Sequence, residues 1–302
     1  MQFSVVIPVY NREHLIQDAL ESVLDQTHDN YEIIVVDDGS TDGTCEAIRK
    51  YGDKVRLIVQ ENAGPGAARN RGIRASSGEY VAFLDSDDRW FPWTLSTYSN
   101  VIRRFGKPSY VKAPRVSFHT EKDLVGTEKQ PITADHFEDF CEAAGRGIWV
   151  GSGVSVIKRA SIEKVGGFTT QNINAEDHDL AFRLGTQPGF VRIQSPPLVA
   201  VRNHNDQESK KFKKIAEGFT CLVNREESGM YPGGRQRREE RRYLLCQHIR
   251  SATVSLVHRG YPKKAFELYW RSLMWQISFR RVKYIIGLPV IIICRYFRDY
   301  IK

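Results

Sequence analysis

The stretch Phe83-Leu84-Asp85-Ser86-Asp87-Asp88 decides the predicted fold, because an apolar run ends there in three carboxylates. Residues 79–84 are rich in β-forming side chains, which is typical of a buried strand. On a strand, alternate side chains share a face, so we expect Asp85 and Asp87 to point the same way. Two carboxylates about 4 Å apart repel by roughly 4 kcal/mol at an effective dielectric near 20, which favours a positive partner between them. A divalent cation with oxygen ligands fits that place, and a solvated acidic turn is the alternative.

Three further apolar runs precede this strand, and a predicted helix follows each of them. The runs cover residues 3–9, 31–36 and 55–59. Asn11 is predicted to cap the helix after the first run, and Asp42 the helix after the second. The third helix covers about 65–75, and a fourth covers 92–105. Four strand–helix alternations predict a doubly wound, mostly parallel α/β sheet of Rossmann-like type.

Each predicted strand ends in polar or conformationally special residues. The residues are Pro8 and Tyr10 for the first strand, Asp38 for the second, Glu61 and Asn62 for the third, and Asp85 and Asp87 for the fourth. In open α/β sheets, ligands bind outside the carboxyl ends of the strands. The sequence therefore predicts one ligand crevice lined by these side chains.

The segment Gly64-Pro65-Gly66-Ala67-Ala68-Arg69 contains the first two glycines of a dinucleotide-binding fingerprint. Arg69 stands where the third glycine is expected, and the segment follows the third strand rather than the first, which argues against a nicotinamide cofactor. A helix with Pro65 in its first turn is the simpler interpretation. The free N–H groups of that helix and Arg69 would then face a phosphate.

Beyond residue 109 the pattern is mixed. Alternation predicts strands over 110–118 and 196–204, residues 120–130 are predicted to form a polar loop, and acidic residues open a short helix near Glu176. Such acidic residues also occur in first helical turns for dipole reasons alone.

A change in composition places a domain boundary near residue 205. Residues 1–205 are predicted to form one domain, with halves at about 1–108 and 109–205. Residues 206–302 are predicted to be helical and basic. Residues 237–242 mix both charge signs at helical spacing, which predicts a solvated helix face.

Composition restricts the partners and the compartment. The chain has 302 residues and a net charge of +8, which favours anionic partners such as nucleotides or acidic lipid. Its five cysteines are scattered and form no Cys-x-x-Cys pair, so we expect a reducing cytoplasm without disulfides. The N-terminus shows no signal-peptide pattern. No basic and aromatic platform or motif for nucleic acid is present, so nucleic acid is not an expected partner.

Six motifs together resemble the family 2 glycosyltransferases, which are inverting sugar transferases of GT-A fold. In chain order they are Val5-Val6-Ile7-Pro8-Val9-Tyr10-Asn11, Ile34-Val35-Val36-Asp37-Asp38-Gly39-Ser40-Thr41-Asp42, Ala68-Arg69-Asn70-Arg71-Gly72, Phe83-Leu84-Asp85-Ser86-Asp87-Asp88, Val165-Gly166-Gly167-Phe168 and Glu176-Asp177-His178-Asp179-Leu180. The resemblance covers about residues 2–205, and six motifs in the family's order are far more specific than any one of them.

The resemblance implies a donor that is a nucleoside-diphosphate sugar, with a UDP-sugar favoured. It assigns Pro8, Tyr10 and Asp38 to the base and ribose, with Glu13 assisting. It places Arg69 beside the base or the phosphates.

It also implies the catalytic groups. Asp85 would face the ribose, and Asp87 would carry Mn²⁺ or Mg²⁺, with His204 approaching the same metal. Asp177 resembles the general base that deprotonates the acceptor hydroxyl. The implied acceptor is a glycan or a lipid-linked sugar of polysaccharide or glycolipid assembly.

Other classes of function stay open. A pseudoenzyme could bind the nucleotide sugar without transferring it, although both Asp87 and Asp177 are present. A basic protein that binds nucleic acid or a lipid surface would use the net charge of +8. A glycoside hydrolase also uses paired carboxylates, but the nucleotide-site residues argue against it.

The most apolar run of the chain lies near its C-terminus, at residues 284–294. Eleven helical residues rise about 16 Å, which is too short for a hydrocarbon core of about 30 Å. Basic and aromatic residues flank the run, as in segments that lie on the inner face of an anionic membrane. A helix packed in the protein core, with a kink at Pro289, is the alternative.

Overall fold

The computed structural model describes residues 1–171, 173–204 and 212–301, and the chain forms two compact units. The first unit comprises residues 1–140, 150–172 and 187–204. The second comprises residues 141–149, 173–186 and 205–302. The predicted boundary near residue 205 lies outside the described residues, and two segments that precede it already belong to the second unit.

The described strands all belong to the first unit and are numbered along the chain. They are β1 (Phe3–Val9), β2 (Tyr31–Asp37), β3 (Arg56–Val59), β4 (Tyr80–Phe83), β5 (Arg89–Trp90), β6 (Tyr110–Lys112), β7 (Arg115–Phe118), β8 (Thr133–Phe137), β9 (Ser155–Lys158), β10 (Phe190–Ser195) and β11 (Val199–Arg202). The described helices are α1 (Ile16–Leu24), α2 (Thr44–Arg49), α3 (Pro65–Ala75), α4 (Thr94–Arg104), α5 (Phe140–Gly145), α6 (Arg159–Lys164), α7 (Glu176–Arg183), α8 (Phe212–Glu227), α9 (Arg238–His258), α10 (Pro262–Ser278) and α11 (Val282–Ile301). Short 3₁₀ helices cover Gly52–Lys54, Glu121–Leu124 and Ser152–Val154.

The first unit is organised around an eight-stranded sheet of order β3-β2-β1-β4-β9-β6-β10-β8. Strands β8 and β9 run antiparallel to their neighbours, and the other six strands run in one direction. Strand β1 is almost wholly buried, as expected for a strand covered on both faces. The predicted doubly wound, mostly parallel α/β sheet is confirmed.

Helix α3 approaches the sheet closely because Gly72 has no side chain. A Cβ at Gly72 would lie 2.3 Å from Val6 Cγ1 of β1. Pro65 opens the helix at its first position, as its fixed φ favours, and Ala68 is fully buried. The spacing of small residues on α3 therefore sets how near the helix lies to β1.

The first unit also contains a second, three-stranded sheet of order β5-β11-β7. Strand β5 begins directly after Asp88 and pairs antiparallel with β11, which ends two residues before His204. The sequence predicted a single strand over 110–118, but Pro114 separates β6 from β7, which pair in different sheets.

Two predicted helix caps are wrong. Asn11 does not cap α1, which begins at Ile16; instead Asn11 has φ 50° and its Oδ1 accepts a hydrogen bond from Thr41 N at 2.8 Å. Gly43 is the N-cap of α2, one residue after Asp42, although Asp42 Oδ1 still accepts from Thr44 N at 3.1 Å. Both side chains tie the loops after β1 and β2 together instead.

The second unit packs α7 with the C-terminal helices α8–α11, which confirms the predicted helical character of that region. Its core contains an ion pair that the sequence did not predict. Arg241 is 1% exposed and donates to Glu226 Oε2 at 2.6 Å, with Arg238 and Arg242 near the same carboxylate. The predicted solvated face at 237–242 is therefore wrong for Arg241.

Helix α11 continues through Pro289, and one face of it packs in the protein core. Tyr284, Leu288 and Ile292 are buried, whereas Ile286 and Val290 are more than half exposed. Within the described residues, no helix is long and apolar enough to cross a membrane.

Candidate functional site

The carboxyl ends of β1, β2 and β4 bring most of the predicted site residues into the first unit. Asp38 follows β2 and is 4% exposed. Its Oδ1 accepts from Gln60 Nε2 at 2.8 Å and Ala63 N at 2.9 Å, and its Oδ2 accepts from Gly64 N at 2.8 Å. Because a carboxylate has about four acceptor positions, Asp38 holds the loop after β3 and keeps about one position for a ligand.

The loop after β1 holds Tyr10 and Glu13. Tyr10 is 46% exposed, so its ring is available to stack on a planar ligand. Glu13 Oε2 accepts from Gly43 N at 2.8 Å, which joins this loop to the start of α2. Pro8 is half-buried within β1, in register with Val36 of β2.

The acidic segment is a turn rather than an extension of β4. The strand ends at Phe83, and Asp88 N donates to Asp85 O at 3.1 Å, which closes the turn. The expectation that strand alternation directs Asp85 and Asp87 to one face is therefore wrong. The two carboxylates have different cationic partners instead.

Asp85 pairs with Arg69. Arg69 Nη2 lies 2.8 Å from Asp85 Oδ1, and its guanidinium lies 5.4 Å from the centre of the Phe168 ring. Arg69 is 5% exposed, so the charge of this pair is partly shielded from water. Gly153 leaves room for the carboxylate, since a Cβ there would lie 2.4 Å from Asp85 Oδ2.

Asp87 pairs with His204. His204 Nε2 lies 2.8 Å from Asp87 Oδ2, both side chains are 19% exposed, and Arg12 Nε lies 3.9 Å from the same oxygen. The structure thus joins the two residues that the resemblance assigned to a metal, although 117 positions separate them.

Arg202 holds the end of β11 that delivers His204. Arg202 N donates to Asp88 Oδ1 at 3.0 Å, and its guanidinium lies 4.5 Å from the centre of the Phe118 ring. Burial, and the charges of Asp85 and Asp87, raise the pKa of Asp88 well above its usual value. The sequence analysis assigned no role to Arg202, Asp88 or Gly153; only Asp88, inside the acidic motif, carried a signal.

The third and fifth motifs hold each other in place. Asn70 Nδ2 donates to Phe168 O at 2.9 Å, and Phe168 N donates to Asn70 Oδ1 at 2.7 Å. A Cβ at Gly167 would lie 2.3 Å from Asn70 Oδ1, so only glycine fits beside this pair. The pair positions Phe168 against Arg69.

Asp177 belongs to the second unit, at the start of α7. Its Oδ1 accepts from His178 N at 2.7 Å and lies 2.8 Å from His178 Nδ1. Burial acts to lower the pKa of His178, but the adjacent Asp177 outweighs it and the pKa is raised. His248 lies with its ring centre 4.9 Å from that of His178, and burial lowers its pKa to about 3.

Helix α7 is anchored through Asp179, which is fully buried. Tyr231 Oη donates to Asp179 Oδ1 at 3.0 Å, Arg183 Nε donates to Oδ2 at 2.8 Å, and Arg225 also forms an ion pair with Asp179. These contacts fix the turn that carries Asp177.

The donor set at Asp87 and His204 suits a divalent cation. Carboxylate oxygen with imidazole nitrogen is a combination that Mn²⁺ accepts, whereas Mg²⁺ prefers oxygen alone. Within the described residues, no group of three or more His, Cys, Asp or Glu side chains could hold a metal. Two protein donors therefore fit a cation that takes its remaining ligands from a bound molecule.

Comparisons with known proteins agree with this fold and these motifs. The family model described as "Glycosyl transferase family 2" matches residues 4–138. A putative teichuronic acid biosynthesis glycosyltransferase, TuaG of Bacillus subtilis, is 45% identical over 91 residues, which cover 29% of this chain and 36% of that protein. Glycosyltransferase GlyA of Streptococcus pneumoniae is 46% identical over 90 residues, covering 29% of this chain and 13% of that protein. The aligned residues thus cover only 36% and 13% of the lengths of these two relatives.

Two solved structures share the fold over most of the chain. S. aureus TarS 1–349 in complex with UDP-GlcNAc has a TM-score of 0.57 at 18% identity and covers 92% of each chain. The mannosyltransferase PcManGT of Pyrobaculum calidifontis, in complex with GDP-Man and Mn²⁺, has a TM-score of 0.55 at 18% identity, covering 99% of this chain and 87% of that one.

Proposed function

We propose that the chain transfers a sugar from a nucleoside-diphosphate sugar to an acceptor hydroxyl, with inversion, because the family model described as "Glycosyl transferase family 2" matches residues 4–138. The observation that carries the proposal is the pairing of Asp87 with His204 at 2.8 Å, beside the pairing of Arg69 with Asp85 at 2.8 Å. The structural neighbours that hold UDP-GlcNAc and GDP-Man support a nucleotide sugar as donor. We favour UDP as the nucleotide.

The donor would bind at the carboxyl ends of β1, β2 and β4. Tyr10, with Pro8 and Asp38, would hold the base and ribose, and Glu13 would support them from the loop after β1. Asp85 would face the ribose while Arg69 keeps its charge balanced. Arg69 contacts Asp85 directly at 2.8 Å, whereas Arg12 approaches Asp87 only to 3.9 Å, and His204 is the hydrogen-bonded partner of Asp87.

Asp87 and His204 would hold Mn²⁺ or Mg²⁺, with Mn²⁺ the better match to an imidazole ligand. When bound, such a cation neutralises charge on the departing nucleoside diphosphate as a Lewis acid.

Asp177 would act as the general base. A carboxylate within about 3 Å of the acceptor hydroxyl takes its proton as the oxygen attacks the sugar carbon, and the bond to the diphosphate breaks. A single displacement gives inversion without a covalent intermediate. His178, which engages Oδ1 of Asp177, would orient the carboxylate.

The acceptor would be a glycan or a lipid-linked sugar, as the relative assigned to teichuronic acid biosynthesis suggests. We propose that the first unit binds the donor and that the second supplies the base and part of the acceptor site. Docking on the inner face of the membrane would bring a lipid-linked hydroxyl within reach.

Titration calorimetry tests the donor site directly. UDP should bind more tightly with Mn²⁺ than with EDTA, and Asp87→Ala should abolish that difference. Asp53→Ala is a matched control, because Asp53 is exposed in the 3₁₀ helix before β3. Equal affinity with and without Mn²⁺ in the wild-type protein contradicts the metal assignment. UDP binding without sugar transfer to any acceptor or to water supports the pseudoenzyme alternative.

A further inference from the structure

The turn between α10 and α11 borders a cavity of about 530 Å³ within the second unit. That volume lies within the range of small-molecule sites, roughly 300–1,000 Å³. Its lining combines four cationic side chains with apolar ones. The cations are Arg250, Arg280, Arg281 and Lys283, and the apolar residues include Val254, Leu288 and Ile291.

The four cations have no counter-charge. None of them forms an ion pair within the part of the chain that the structure describes. Arg281 Nη1 is buried and has no hydrogen-bond partner among the same residues. Burial and the neighbouring Arg250 lower the pKa of Arg281. Arg250, Arg280 and Lys283 are exposed, so an anion bound in the cavity can reach them and would supply the counter-charge that they lack.

Arg280 adopts a backbone conformation that favours glycine. Helices α9 and α10 end in the same way. After each helix, one residue has a positive φ, and the backbone N–H of the next residue donates to the carbonyl oxygen five positions before it. At the end of α9 that residue is Gly260, with φ 87°, whereas at the end of α10 it is Arg280, with φ 52°. A non-glycine residue in this region is strained, and at Arg280 the strained position places a cationic side chain at the cavity.

Exposed apolar stripes lie on both helices of the hairpin. On α10 the stripe is Phe266, Trp270, Met274 and Ile277, and on α11 it is Val282, Ile286, Val290 and Ile293. Each stripe repeats at three or four residues, which places its members on one face of its helix.

The cavity lies next to the α11 stripe. Lys283, Gly287 and Ile291 of α11 line the cavity. An α-helix turns 100° per residue, so these three lie between the exposed stripe and the buried face of α11. The buried face consists of Tyr284, Leu288 and Ile292. A ligand in the cavity would therefore be held beside the exposed apolar residues of α11.

Charge decides what covers these stripes. Residues 250–295 contain nine Lys or Arg and one acidic residue, Glu267. A second copy of the chain would bring the same positive charge to the contact and be repelled. An anionic membrane would attract it, at roughly 1 kcal/mol for each basic residue near the surface.

We propose that the cavity beside the α10–α11 turn binds the phosphate headgroup of an anionic phospholipid, while the apolar stripes of α10 and α11 lie in the membrane interface. The site is separate from the donor site, so the proposal does not rest on sugar transfer. It goes beyond general docking because it names a discrete headgroup pocket.

Co-sedimentation of the full chain with vesicles tests the pocket. We expect binding to phosphatidylcholine vesicles that contain phosphatidylglycerol and little binding to phosphatidylcholine alone. The double variant Arg280→Gly/Lys283→Gln should lower the partition coefficient at least tenfold more than Lys263→Gln/Lys264→Gln. Both variants remove two positive charges, and only the first changes the cavity. The control also breaks the Lys264–Glu217 ion pair, which is exposed and contributes little to stability. Arg280→Gly alone should raise the melting temperature by about 2 °C, which shows that lost binding is not lost folding.

Three outcomes would overturn the proposal. Equal losses in the two double variants would mean that surface charge alone attracts the membrane. Absence of binding to phosphatidylglycerol vesicles at low salt would mean that the stripes serve another contact. Full displacement of bound protein by 10 mM inorganic phosphate at constant ionic strength would mean that the pocket binds free phosphate rather than a lipid. Calorimetry with UDP and Mn²⁺ on the same variants reports the donor site separately.

Discussion

Asp85 and Asp87 are two residues apart, yet their surroundings give them different properties. Arg69 lies 2.8 Å from Asp85 and has a guanidinium that cannot bind a metal, whereas His204 lies 2.8 Å from Asp87 and has an imidazole, which is a common metal ligand. A cation can therefore compete for Asp87 far more easily than for Asp85. The choice of basic partner, and not the acidic residue itself, separates the two proposed roles.

The general-base assignment depends on one carboxylate. Asp177→Asn keeps the shape of the side chain but removes its basicity, so we expect turnover to fall by roughly 10²-fold or more while UDP affinity stays within twofold. The pKa of His178 should fall as well, because the Asp177 charge that raises it is lost. Steady-state kinetics, calorimetry and a histidine titration by NMR measure the three effects. Turnover at the wild-type rate would contradict the assignment, and the neighbouring Glu176 would be the next candidate for the base.

At the scale of elements, the sequence predicted the first half of the fold well. Strands β1 to β4 and helices α1 to α4 appear within a few residues of their predicted positions, because apolar periodicity and turn residues act locally. Strands β8 and β10 were not predicted. Strand β8 is exposed along much of its length, so its sequence lacks the apolar pattern of a buried strand. These two strands form because they pair with segments that are distant in the sequence.

The candidate site also combines residues that local patterns predict with contacts that depend on distant segments. Asp38, Asp85 and Asp87 follow local strand patterns and could be found from the sequence. The contact of Asp87 with His204 depends on the pairing of β5 with β11, which no local pattern encodes. The role of Gly153 depends only on its closeness to Asp85, and glycine carries no chemical signal of its own.

Two helical glycines allow a matched test of packing. A Cβ at Gly72 would lie 2.3 Å from Val6 Cγ1, whereas a Cβ at Gly287 would meet nothing within 4 Å. We expect Gly72→Ala to destabilise the first unit by about 1–3 kcal/mol through overpacking. Gly287→Ala should stabilise the second unit by about 0.5–1 kcal/mol, because alanine favours a helix. Urea unfolding measures both, and a neutral Gly72→Ala would mean that α3 can move away from β1.

For the molecule as a whole, the two proposed halves of the reaction lie in different compact units. The donor residues all belong to the first unit, and Asp177 belongs to the second. The second unit is discontinuous in sequence, since residues 141–149 and 173–186 join the C-terminal helices. The C-terminal helices are therefore part of the support for the proposed base, since Asp179 of α7 contacts Arg225 and Tyr231.

This organisation predicts that a substitution in the second unit can lower turnover without weakening donor binding. Tyr231 is 1% exposed and donates to Asp179 at 3.0 Å, so Tyr231→Phe keeps the ring and removes one buried bond to a carboxylate. Such a bond contributes about 1.5–3 kcal/mol, and its loss should loosen the start of α7. We expect kcat to fall severalfold while the Kd of UDP with Mn²⁺ stays unchanged. Tyr261→Phe is the matched control, because Tyr261 is 41% exposed. If Tyr231→Phe weakens UDP binding as much as it lowers kcat, the second unit supports the donor site too, and the proposed division of labour is wrong.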